Sequence, residues 1–98
     1  MKGGYQRRTT DGVVGISGLP VRLYGLQIQS GATAGAVACH NGTDTTGDKL
    51  LDVAGEPNRT VSTANIPSDG IFFPGGLYLD VDANVTAAIA NYEQVIAR

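Results

Sequence analysis

The chain has 98 residues and a mass of 10.1 kDa, with 14 glycines, 16% charged residues and a net charge of -2. That length holds one domain, and a domain of this size buries roughly two thirds of its unfolded surface. Glycine in such number weighs against a helical bundle, since each costs about 1 kcal/mol in a helix interior. A hydrophobic fraction of 42% with so little net charge weighs against disorder. With one Cys, one His and no Trp, the chain has few groups for acid–base, nucleophilic or metal chemistry, so neither an enzyme nor a cofactor is expected. Cys39 has no second cysteine for a disulfide, and with His40 alone it cannot build a zinc site.

The basic start, Met1 to Arg8, has no apolar run behind it, so neither a signal peptide nor a membrane span is expected. Lys2, Arg7, Arg8 and Arg22 against Asp11 give residues 1–40 a charge of +3, leaving -5 for residues 41–98. Residues 1–12 are polar, with no hydrophobic period, and read as an extended N-terminal arm preceding a domain at 13–98. A basic arm on an acidic body suits attachment to an acidic surface or to another copy of the chain. The charge is too small to make nucleic acid the main ligand. Lys2, Tyr5, Arg7 and Arg8 are the candidate partner-binding residues.

Gly12–Gly18 is an apolar patch broken by glycines and fits an irregular edge strand. Leu19–Gln29 is the first full strand. Tyr24, Leu26 and Ile28 share one parity while Val21 and Leu23 share the other, so Gly25 marks a bulge or a close backbone approach. Ala34–His40 is a strand of small residues suited to close approach by another sheet or subunit. Asn41–Asp48 is a polar turn opened by Asn-Gly, a hairpin signal. Strands follow at Lys49–Val53, Arg59–Ala64 and Ile71–Phe73. In Leu77–Asp82, Leu77, Leu79 and Val81 alternate with Tyr78, Asp80 and Asp82, the pattern of a strand buried on one face. Val85–Ile96 has helix-forming alanines but also strand parity, and six preceding strands favour a strand. The pattern is an all-β, antiparallel β-sandwich of jelly-roll or immunoglobulin-like type. The sequons at Asn41, Asn58 and Asn84 read as turn and strand residues rather than glycan sites.

Few constellations carry chemistry. Asp80, Asp82 and Asn84 resemble the opening of a calcium loop, but Val85 stands where glycine is needed and Asn91 where glutamate is needed. No metal ligands are assigned. Cys39 and His40 are neighbours on a strand and point to opposite faces, so a buried Cys beside an exposed His is expected. Gly12, Gly15 and Gly18 lack the lysine and helix of a phosphate loop. Exposed tyrosines on a sheet, with Tyr24 and Tyr78 foremost, suit stacking on sugar rings; packing is the simpler role for the six aromatics.

Two segments, Pro20-Val21-Arg22-Leu23-Tyr24-Gly25-Leu26-Gln27-Ile28-Gln29-Ser30-Gly31-Ala32-Thr33-Ala34-Gly35 and Gly70-Ile71-Phe72-Phe73-Pro74-Gly75-Gly76-Leu77-Tyr78-Leu79-Asp80-Val81-Asp82-Ala83-Asn84, carry a family pattern. The pattern resembles the small β-sandwich virion proteins of tailed bacteriophages, frequent in marine and cyanobacterial phages. It covers about residues 20–93, leaving out the 41–48 loop and the tail from Tyr92. The resemblance implies a non-enzymatic capsid decoration or cement protein, assembled into the virion in the host cytoplasm. Its partners would be the major capsid protein and copies of itself, as a homotrimer or homodimer. A small tail or connector protein, including a glycan-binding adsorption component, is the alternative it leaves open.

Overall fold

A computed structural model describes residues 2–62 and 66–95, with side chains from residue 4 onward. These residues form nine strands: β1 (Lys2–Arg8), β2 (Gly12–Val14), β3 (Val21–Ser30), β4 (Ala36–Asn41), β5 (Lys49–Ala54), β6 (Thr60–Ser62), β7 (Ile71–Phe73), β8 (Leu77–Val81) and β9 (Val85–Gln94). The first sheet runs β1-β9-β3-β6, with β7 also paired to β3; the second runs β2-β8-β4-β5. Every pairing is antiparallel. The shortest dimension is 18 Å, as two sheets about 10 Å apart with their outward side chains require. This is the all-β sandwich that the turn spacing predicts. The expected strand ends at Ala64 and Ile96 lie outside the described residues.

The core forms where the two inner faces meet. Val14, Leu77, Leu79, Val37 and Cys39 come from the second sheet, and Val21, Leu23, Leu26, Ile28, Phe73, Ala88 and Ala90 from the first. Each large apolar side chain buried there contributes about 1.5–3 kcal/mol. β3 supplies both of its parities to this core. Its register against β9 slips between Leu23 and Gly25, so Leu23 and Leu26 both turn inward and Tyr24 is set aside, half-exposed. The bulge predicted at Gly25 is what lets opposite parities reach one core, and Tyr24 does not share the buried face of Leu26 and Ile28.

Residues 85–94 form a strand despite their alanines because both edges of β9 are taken, by β1 and by β3. Residues 2–12, the described part of the arm expected at 1–12, differ from expectation. Lys2–Arg8 is extended, but it pairs residue for residue with Gln94–Ala88 as an edge strand of the first sheet, and residues 9–11 bend from it into β2. It is part of the sandwich and not an arm apart from it. Its partner lies at the opposite end of the chain, and its polar residues and glycines hide the strand period.

Polar groups at the sandwich ends are tied down. Gln94 is 3% exposed; its Oε1 accepts from the Ile16 amide at 2.7 Å and its Nε2 donates to Pro20 O at 2.8 Å. This fixes the β2–β3 connection onto the end of β9. At the other end, Gly35 passes close to β9: a Cβ there would lie 2.6 Å from Val85 Cγ2 and 2.8 Å from the Val85 amide nitrogen. Gly35→Ala is therefore expected to destabilise the fold by about 1–3 kcal/mol. Urea unfolding measures this, and an unchanged midpoint would contradict the close approach.

Candidate functional site

The four basic and aromatic residues singled out at the N-terminus separate once β1 is in the sheet. Alternate side chains of a strand point to opposite faces. Gln6 and Arg8 turn toward β2. Gln6 Nε2 donates to Val13 O at 3.2 Å, and its Oε1 accepts from the Gly15 amide at 2.8 Å. The Arg8 guanidinium donates to the carbonyls of Thr10, Asp11 and Val13 at 3.2–3.3 Å. Arg8 thus clamps the turn into β2 and caps a carbonyl of that edge strand, apart from Tyr5 and Arg7. Tyr5 and Arg7 stand on the outer face of the first sheet, both exposed. The Lys2 side chain lies outside the described residues.

The free edge of β1 is what this arrangement leaves. One side of its backbone is bound to β9 along all seven residues; the other pairs with no strand among the described residues and is the rim of the sheet. An unpaired rim of N–H and C=O groups is a template for an added strand. Arg7 gives this rim positive charge.

Behind the rim, the outer face carries two rows across the strands. Tyr5 is opposite Asn91, which is opposite Gly25; Arg7 is opposite Ile89, which is opposite Gln27 and then Ser62. Because Gly25 has no side chain, a shallow groove of about 160 Å³ opens between these rows. Beyond it, the Tyr24 hydroxyl donates to Glu93 Oε1 at 2.9 Å. That bond to the carboxylate, more than any other cause, raises the Tyr24 pKa above the ordinary tyrosine value. Phe72 lies under the Arg22 guanidinium, 5.1 Å from the ring centre. Tyr5, 75% exposed, is thus the aromatic side chain most open on this face, more so than Tyr24, which the sequence put forward with Tyr78.

The second sheet presents a different outer face. Ala36 and Ala38 floor a trough walled by Asp80 and Asp82 on one side and Asp52 on the other. The small-residue strand expected to permit close approach is therefore turned outward, between acidic walls. Lys49 Nζ sits 3.2 Å from Asp52 Oδ2, an exposed pair of little energetic weight. Asp82 Oδ1 accepts from the Asn84 amide at 2.9 Å, so Asp82 and Asn84 close the turn into β9. Among the described residues no three His, Cys, Asp or Glu side chains gather into a metal-binding group.

Cys39 and His40 do point to opposite faces, but His40 is not exposed. Register slips between them against β5, and the 41–48 turn folds back over the ring. His40 is 9% exposed, and its Nδ1 donates to Gly47 O at 3.0 Å. The sequence signal for this was the Asn-Gly turn itself, whose length lets it return onto the strand. No protein-family profile, curated protein or solved structure matches the chain.

Cys39 lies wholly within the core. Burial, with a smaller contribution from the Asp52 carboxylate, pushes its thiol up to about 12. An unfolded thiol ionises near 8.5. Between those values the unfolded chain has lost a proton that the folded chain keeps, so stability falls as pH rises, by up to about 1.4 kcal/mol per pH unit. Urea unfolding at about pH 8 and about pH 10 is expected to show this loss. Cys39→Val should remove most of it; an undiminished loss in that variant would contradict the assignment.

Proposed function

We propose that this chain is a non-enzymatic structural protein of a tailed-phage virion, a capsid decoration or cement protein that works by surface contact. The observation that carries this reading is the β1 rim: a seven-residue edge strand, regular in register, with Arg7 beside it. Strand addition along that rim would supply main-chain hydrogen bonds, and the positive charge would favour an acidic segment of the major capsid protein. The phage assignment itself draws on the pattern in residues 20–35 and 70–84. Repeated copies on a symmetric shell turn many weak contacts into firm attachment. Copies would associate as a homotrimer or homodimer, with the acidic face of the second sheet turned to the basic rim of a neighbour rather than to its like. Assembly would take place in the host cytoplasm.

Quantitative mass spectrometry of purified virions carrying the protein tests the location. On the order of hundreds of copies per particle is the expected result, as for a component repeated over the shell; a single ring's worth would instead place it in the tail or connector. Truncating β1 is a poor test of the contact, because it also strips β9 of a partner. Arg7→Glu leaves the fold intact and is expected to weaken particle binding by about tenfold, most visibly at low salt. Unchanged occupancy and salt dependence would count against the β1 rim as the contact.

A further inference from the structure

We propose that the groove on the outer face of the first sheet binds a short, uncharged oligosaccharide. This goes beyond shell attachment: the groove opens perpendicular to the sheet, whereas the β1 rim lies in its plane.

The chemistry of the lining selects the ligand. At one end the Tyr5 ring stands 75% exposed, offering a flat apolar surface to the C–H face of a pyranose ring. Gly25, Leu26 and Ile89 leave a low floor. Around it stand Asn91, Gln27 and Ser62, whose side chains make no hydrogen bond among the described residues. An amide both donates and accepts, and so does a hydroxyl. That is the complement of vicinal sugar hydroxyls, which also do both. The rows place these groups on adjacent strands, so the groove crosses from β1 to β6 over three strand spacings, about 14 Å.

Other ligand classes fit less well. A nucleic acid needs several phosphate-neutralising side chains, and Arg7 alone borders the groove. An apolar peptide needs deep side-chain pockets, and a shallow floor of Gly25, Leu26 and Ile89 ringed by amides and a hydroxyl provides none. The lining holds no carboxylate for a cation.

The test is an NMR titration of the full chain with hexasaccharides of glucose, galactose, mannose and N-acetylglucosamine at millimolar concentration. At least one should shift the side-chain amide signals of Asn91 and Gln27 in a saturable way. Tyr5→Ala removes an exposed ring and should weaken that binding by about tenfold or more. Gly25→Val should abolish it. A Cβ at Gly25 would meet only Asn91 Cβ, 3.8 Å away, so the variant fills the groove while keeping its unfolding midpoint. Tyr5→Ala and Gly25→Val should leave particle occupancy unchanged while they remove sugar binding, which separates this proposal from the shell contact. No shift with any of the four sugars would overturn the proposal, as would shifts that persist in both Tyr5→Ala and Gly25→Val.

Discussion

β9 is hydrogen bonded along both edges, to β1 on one side and to β3 on the other. That double pairing is the constraint on which the rest of the structure depends. It makes a strand of an alanine-rich segment that would otherwise suit a helix, since a helix would leave β1 without its partner strand and one edge of β3 unpaired, with unsatisfied backbone groups over the core. It places Ala88 and Ala90 under the second sheet, where their small side chains accommodate the larger residues opposite. It joins the two ends of the chain in one sheet. The bulge at Gly25 follows from the same pairing. It reconciles β3, whose apolar parity changes midway, with a partner that presents a continuous inner face.

Local patterns made much of the fold legible. The alternation in residues 77–81, the Asn-Gly turn and the parity change around Gly25 are short-range signals, and each corresponds to an element in the sandwich. The pairing partners were not legible, because strand neighbours here are set over nearly the whole chain length. β1 is the clearest case. Gly3, Gly4 and the alternation of Gln6 and Arg8 with Tyr5 and Arg7 carry no hydrophobic period, yet they match β9 residue for residue. His40 is another. Nothing at position 40 signals burial, which arises only when the following turn folds back to place Gly47 O at Nδ1.

The same topology explains how the candidate surfaces divide. Pairing of β1 turns Arg8 and Gln6 inward as caps for β2, and turns Tyr5 and Arg7 outward. It produces a rim that can accept a strand and a face that can accept a flat ligand, in different directions. The opposite sheet is acidic and floored by alanine. The charge asymmetry seen in the sequence, basic early and acidic late, therefore becomes an asymmetry between two faces of one sandwich. Such an object is suited to being held between unlike surfaces.

The integration of β1 into the first sheet is the claim from which these surfaces follow, and amide hydrogen exchange measures it most directly. A stable antiparallel edge strand has every second amide bonded to its neighbour. Exchange should therefore be slow at alternate residues between Lys2 and Arg8, by about a hundredfold or more over the unfolded rate, with fast exchange at the residues between them. Uniformly fast exchange across residues 2–8, with β9 still protected by β3, would contradict the account.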